Sequence, residues 1–405
     1  MDVAVIRFLI RAGDTERARD RLELARGRWG DLPALDQLRL VVEAADSVAL
    51  DQALDDALDR DPSDLQLRTL AWRLGREPFF EPFRVEFGDV LEDSETTRNG
   101  VDIVLLLDQA VERVFADGSA MYYYHGVSRA ITPVGARQAS RLQQMPDAHL
   151  LKVRIVKPDG RVVVPAQMEA RNGTMVLGDV APGDVVEEEY VATVRATGSS
   201  RRGHMSPYIY RFADEDRDFG LSEYLLLVPP EIDLEVDGNL DDVEREEWSH
   251  DGLRAIRWRT VGMPALRGEP FSPPAQELLP WVSYSFGVTW QDVGDTLRDR
   301  LLWVLGTSTE LLEWGRPLLA DPDPEVAVRT LVGGLLDAVD AGRRPLDLST
   351  TASESFSRKE GGRLAILAAI LADAGWDVDL VMARPRPLAG KHLSVPTLET
   401  FIEPL

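Results

Sequence analysis

The chain has 405 residues, 44% of them apolar, and 69 acidic side chains against 45 basic ones, a formal net charge of −24. Such a surface repels nucleic-acid phosphates and anionic lipid, which argues against a nucleic-acid partner. No stretch nears the roughly 20 apolar residues of a membrane-spanning helix, so direct membrane insertion is not expected.

Cysteine is absent, which removes disulfides, thiolate metal sites and thiol nucleophiles together. The five histidines, His125, His149, His204, His250 and His392, lack metal-site spacing and read as surface or turn residues. No cofactor and no metal are expected. The length calls for more than one core, and the texture of the chain divides it into three segments.

Residues 1–76 read as helices with short connectors. Val3, Ile6, Leu9 and Ile10 share one face, and Asp14-Thr15 caps a second helix carrying Ala18, Leu22 and Ala25. A similar unit returns about 35 residues later, with Ala53 and Ala57 in the places of Ala18 and Leu22. The Asp61-Pro62-Ser63-Asp64 turn then leads into Leu65, Leu67, Leu70 and Ala71. The period fits tetratricopeptide-like helical repeats, whose small residues let paired helices approach closely. A plain four- or five-helix bundle is the alternative.

Residues 77–268 change to short apolar alternations: Val101 to Leu106, Val111 to Phe115, Val153 to Val156, Val162 to Val164 and Val185 to Val194. Asp117-Gly118, Pro158-Asp159-Gly160 and Pro182-Gly183-Asp184 supply turns between them. Strands at this spacing predict an antiparallel β-sandwich module. Tyr122-Tyr123-Tyr124-His125 reads as strand packing rather than a ligand-stacking platform. The acidic run from Asp241 to Glu247 lacks a calcium-loop register and reads as a solvated loop.

Residues 269–405 are mostly helical. Trp290 to Leu305 and Thr309 to Leu319 are helix-like, and Asp323-Pro324-Glu325 caps a helix with Val328, Leu331, Leu335 and Val339 at core spacing. Arg363 to Ala374 is small or apolar on every face, a buried helix, and Gly375 leads to a predicted strand from Trp376 to Met382.

Three phrases carry a resemblance. They are Val111-Glu112-Arg113-Val114-Phe115-Ala116-Asp117-Gly118, Lys157-Pro158-Asp159-Gly160-Arg161, and Leu177-Gly178-Asp179-Val180-Ala181-Pro182-Gly183-Asp184-Val185-Val186-Glu187. With Glu277 to Val282 and Phe286 to Trp290 downstream, residues 101–197 resemble the β-rich module of unknown function that precedes transglutaminase-like domains in bacterial proteins. The resemblance implies a multi-domain α+β chain ending in a transglutaminase-like, papain-like domain. In active relatives the buried helix opens on a Gly-Asp-Cys-Lys-Asp-type phrase, where the helix dipole and a histidine stabilise the thiolate.

Counting back from Gly375 places Glu360 at the cysteine position, or Gly361 or Gly362 with one gap. Phe401-Ile402-Glu403-Pro404 places Glu403 at the histidine position, and the chain ends before any orienting acid. The end at Leu405 implies a last domain that is incomplete at its C-terminus. Nucleophile, base and orienter are all replaced, so no catalytic residue is expected.

The expected function is a non-catalytic scaffold that binds a protein or peptide partner. The alternative is a hydrolase or acyltransferase of altered chemistry that uses Glu360 or one of Ser353, Ser355 and Ser357, although no Gly-x-Ser-x-Gly elbow accompanies these serines. Relatives of this arrangement often sit in the cell envelope or periplasm. The visible chain equally permits the cytoplasm.

Overall fold

The computed structural model describes residues 14–30, 47–92, 100–143, 148–165, 168–171, 174–196, 203–206, 209–267, 278–340, 350–379, 382–383 and 403–404, with residues 5, 6, 9, 39, 40 and 42. Among them are ten α-helices and one large mixed sheet, so the chain is mixed α+β. It divides into two compact units. The first comprises Met1–Ala196, Phe212–Ile232 and Asp242–Arg267, and the second Thr197–Arg211, Asp233–Asp241 and Gly268–Leu405. No described helix is long and apolar enough to cross a membrane.

In the first unit, α1 (Thr15–Trp29) starts where the Asp14 carboxylate accepts from Arg17 N at 3.3 Å, and ends at Gly30 with φ +72°. Its buried face is Ala18, Leu22 and Ala25, one side of a 3.6-residue period. The helix read at Val3 to Ile10 falls largely outside the described residues.

α2 (Ser47–Arg60) and α3 (Leu65–Arg73) are joined by the four residues Asp61 to Asp64, and Asp64 caps α3 by accepting from Gln66 N and Leu67 N at 2.8 and 3.0 Å. The two helices share a core of Ala53, Leu54, Ala57, Leu58, Leu67 and Ala71. The short helix α4 (Phe87–Glu92) follows.

The large sheet contains β1 (Ile103–Val114), β2 (Ala120–Ala130), β4 (His149–Val156), β5 (Val162–Val163), β8 (Val185–Val194), β11 (Asp218–Val228), β13 (Glu244–His250) and β14 (Leu253–Val261), in the order β13-β14-β11-β1-β2-β8-β4-β5. Every pair is antiparallel except one: β1 and β11 run parallel, with Gln109 beside Glu223 and Val111 beside Leu225. The all-antiparallel expectation therefore fails at this pair, inside the sheet. A parallel pair needs a long crossover, and the intervening strands supply it, a relationship that alternation along one strand does not reveal.

Nearly all of β1 is buried, as central strands covered on both faces are. α5 (Pro133–Ala139) and a small sheet of β3 (Arg141–Gln143), β7 (Thr174–Leu177) and β6 (Met168–Arg171) add Ala136, Ala139, Leu142 and Leu177 to a core with Ile103, Val153 and Ile155. At the other end of the strands the helical segment closes the sheet. Phe80 stacks on Tyr123 with ring centroids 3.9 Å apart, and Leu65 and Trp72 pack beside it.

The second unit borrows strands from inside the span read as one β module. β9 (His204–Met205), β10 (Tyr210–Arg211) and β12 (Glu235–Asn239) all pair with β15 (Trp281–Phe286), whose six residues are buried. Five helices follow: α6 (Trp290–Val304), α7 (Thr309–Gly315), α8 (Pro324–Ala338), α9 (Ala352–Arg358) and α10 (Arg363–Asp373).

Side-chain caps begin four of these, at Thr289, Ser308, Asp323 and Thr351. α10 has no cap side chain, and its Ala365, Ile366, Ala369 and Ile370 join Leu331, Leu335 and Val304 in the helical core. The strand read at Trp376 to Met382 is shorter: Trp376 to Asp379 carries no strand, and only β16 (Met382–Ala383) pairs, with β17 (Glu403–Pro404). Asp377 and Asp379 are exposed, and no neighbouring strand among the described residues receives Trp376 or Val378.

Candidate functional site

The entrance to α10 is built from backbone. α8 ends at Val339, and Asp340 forms a parallel bridge with Glu360: Asp340 N donates to Lys359 O at 2.8 Å and Gly361 N donates to Asp340 O at 3.0 Å. α9 ends at Lys359 with φ +57°, a left-handed cap, and Gly361 follows with φ +101°. Arg363 Nε donates to Val339 O at 2.7 Å, which ties the first residue of α10 to the end of α8.

Glu360 is exposed and lies outside the helix, since α10 begins at Arg363 with Gly362 as N-cap. At the place where the resemblance expects a side chain at a helix N-terminus, the chain presents two glycines. Ser355 is the nearest hydroxyl: a Cβ built on Gly362 would come within 3.2 Å of its Oγ. Ser355 is buried, its Oγ lies 3.2 Å from Thr350 Oγ1, and its carbonyl accepts from Glu360 N. Among the described residues the side-chain partner of Ser355 Oγ is that hydroxyl, too weak a base to take its proton at neutral pH. Ser353 Oγ donates to Gly306 O at 2.9 Å and serves the backbone. Glu403 stands opposite Ala383 in the β16–β17 pair, with its side chain outside the described residues.

Sequence reading missed a second cluster, in the first unit. Successive cross-strand pairs place Lys152 beside Glu189, Glu189 beside His125, His125 beside Gln109 and Gln109 beside Glu223, a polar row across five strands. Glu187 and Glu189 are buried. Lys152 Nζ lies 2.9 Å from Glu187 Oε1 and 3.1 Å from Glu189 Oε1, Arg154 Nε bonds Glu187 Oε2, and Tyr123 OH donates to Glu189 Oε2 at 3.0 Å.

His125 Nε2 is 3.2 Å from Glu187 Oε1, and His125 is 1% exposed, so it is a core residue and not the expected surface or turn histidine. His204 is likewise buried, stacked on Tyr284. One ligand atom each from His125, Glu187 and Glu189 falls within 4.8 Å of the others, close enough for a metal ion. The lysine and arginine already occupy those carboxylates, and a cation would have to displace them. The cluster is a closed ion network.

Burial, the largest influence on Glu187, raises its pKa, but the His125, Lys152 and Arg154 contacts outweigh it and hold the carboxyl at about 2. One signal was available: Glu187-Glu188-Glu189 interrupts an apolar strand, and Lys152 and Arg154, two residues apart on β4, face it.

No family model matches the chain, and no curated protein matches it. Among solved structures, a candidate protease from Parabacteroides distasonis ATCC 8503 is similar at TM-score 0.50 and 16% identity, over 68% of this chain and 59% of that one. The chain thus spans 59% of the length of that neighbour. At this identity the likeness is one of fold. Aminopeptidase A of Legionella pneumophila (8% identity, 46% of this chain and 22% of that one, TM-score 0.27) and the M1 zinc metallopeptidase of Deinococcus radiodurans (13% identity, 46% and 42%, TM-score 0.26) are too distant to support an argument.

Proposed function

We propose that the chain is a non-catalytic scaffold that binds a protein or peptide partner, built from tetratricopeptide-like helices, a β-rich module and a degenerate transglutaminase-like domain. The observation that carries this reading is the entrance to α10. A buried apolar helix survives, but the position before it holds Glu360-Gly361-Gly362, in a chain without cysteine. A helix N-terminus stabilises a thiolate only if a thiol stands there, and here a left-handed backbone turn occupies the space. The capped helices α1 and α3, with Ala18, Ala53 and Ala57 buried in α1 and α2, support the repeat-like part of the reading.

The test is an assay of peptide hydrolysis and of transamidation with the full chain, alongside Glu360→Ala and Ser355→Ala. The expected result is no turnover above buffer for any of the three. Turnover in the parent chain that either substitution abolishes would replace this reading with a hydrolase or acyltransferase of altered chemistry.

A further inference from the structure

Two cations share one aromatic ring in the first unit. The guanidinium carbons of Arg68 on α3 and Arg113 on β1 lie 5.1 and 5.2 Å from the centre of the Phe115 ring, so the two charges stand within about twice that distance of each other. The ring is fixed. Phe115 is buried beside Val111, Leu227 and Ala255, its N–H donates to Ser119 O at 2.9 Å, and its carbonyl accepts from Gly118 N at the same distance. Arg68 is oriented in turn by Nε, which donates to Pro62 O at 2.8 Å. Both guanidiniums are thus placed before any ligand arrives.

Neither has a counter-ion. Among the described residues no carboxylate lies within ion-pair distance of Arg68 or Arg113, and the Arg113 side chain makes no hydrogen bond. Arg113 Nε is closed off by packing, but the NH1 and NH2 groups of both half-buried residues are open to solvent and unbonded. Carboxylates of this region are committed elsewhere. Asp64 caps α3, Asp61 bonds Ser63, and Asp117 accepts from Ser119 N and Oγ at 3.0 and 2.7 Å. Asp251, whose charge acts on Arg113, has its side chain 89% exposed and lies 3.7 Å from His250.

Arg76, the other cation acting on Arg68, is already paired with Asp51 and Asp55. Burial, then the charges of Arg113 and Arg76, push the Arg68 guanidinium down to about 10. One stacked guanidinium would be enough to tie α3 to β1; the second adds a repulsion that an anion relieves.

We propose that Arg68 and Arg113 bind a phosphate group through their NH1 and NH2 donors, beside the Phe115 ring. Two unit cations match a dianion, whereas a carboxylate neutralises only one of them, and the planar donor fork of arginine fits phosphate oxygens. The group belongs to free phosphate or to a small phosphate monoester, since a net charge of −24 disfavours a polyanion. The site is independent of the α10 entrance.

The test is calorimetric titration of the full chain at pH 8 with inorganic phosphate, phosphoserine and acetate, chloride holding the ionic strength constant. Phosphate is expected to bind saturably and at least about tenfold more tightly than acetate. Arg68→Gln and Arg113→Gln should each weaken phosphate at least about tenfold, with Arg113→Lys in between, since it keeps the charge and loses the fork. Arg329→Gln, at an exposed arginine paired with Glu325 in the second unit, should bind as the parent does. Phosphoserine tighter than phosphate marks the ligand as a monoester and the reverse order marks the free ion; both support the site.

Acetate binding as tightly as phosphate, no saturable binding of phosphate or phosphoserine, or unchanged phosphate affinity in both Gln variants would each overturn the proposal. A purely structural pair would lower the melting temperature of the Gln variants and give no phosphate-dependent rise in the parent. If the Gln variants do not fold, Arg113→Lys and the order of phosphate and acetate on the parent chain decide it.

Discussion

Lys157 Nζ lies 2.7 Å from Asp184 Oδ2 and donates to Asp179 O at the same distance. Asp184 is 1% exposed and also accepts from Ala181 N at 2.8 Å. One cation therefore locks the turn after β4 to the loop that precedes β8. Removing one member of a buried pair strands the other. Asp184→Ala should lower stability by about 3 kcal/mol, read as a shift in the urea midpoint with unchanged slope. A shift under a quarter of that size would mean that the pair is idle.

Glu187 sets an acid limit. Its carboxyl sits at about 2 in the folded chain, against an ordinary 4.5. The unfolded chain takes up the proton first as pH falls, so the stabilisation is complete above about pH 4.5 and disappears as pH drops toward 2. Its size is roughly 3 kcal/mol. Denaturation midpoints at pH 7, 4 and 3 should fall more steeply for the parent chain than for Glu187→Gln. Parallel slopes would show that the ion network contributes nothing in that window.

Phe80 joins the helical segment to the sheet through its stack on Tyr123 and an edge contact with Trp72 at 5.9 Å. Phe80→Ala should cost about 3 kcal/mol or more and speed amide exchange in Leu65–Arg73 ahead of β2. Equal exchange in both elements would show that the segment is held by something else.

At the α10 entrance the two neighbouring positions should respond to different extents. Gly361 has φ +101°, and a side chain there is strained, so Gly361→Ala should destabilise by about 1 to 2 kcal/mol. Glu360→Ala, at an exposed position, should stay within about 0.5 kcal/mol. A larger loss for Glu360 than for Gly361 in thermal unfolding would show that the carboxylate matters more than the turn.

Local signals were the most legible. Asp14 and Asp323 cap the helices they were expected to cap, because a short acceptor before an apolar run needs no tertiary context. The turns at Asp117-Gly118 and Pro158-Asp159-Gly160 also close hairpins, with β1 to β2 and β4 to β5 on either side. The three phrases of the resemblance are the turn after β1, the turn after β4 and the loop before β8, and Lys157 joins the last two.

What escaped the sequence was non-local. Parallel pairing of β1 with β11, the recruitment of His204–Met205 and Glu235–Asn239 to β15, and the burial of His125 all depend on which strand lies alongside, and one strand's alternation is silent about its neighbour. At the candidate site the buried helix begins at Arg363, where the sequence read it, and counting placed Glu360 ahead of it; what counting could not register is that Lys359 turns left-handed and sets Glu360 in a backbone bridge to Asp340.

The parallel pair β1–β11 also has a cost during synthesis. β1 emerges early, can zip onto β2 at once, and must then wait for residues 218–228 before its other edge is satisfied. Until then twelve mostly apolar residues offer an open row of amides and carbonyls to any passing strand. Fragments cut between β8 and β11 should therefore aggregate where the whole chain does not, and slow translation through this stretch should lengthen the dangerous interval.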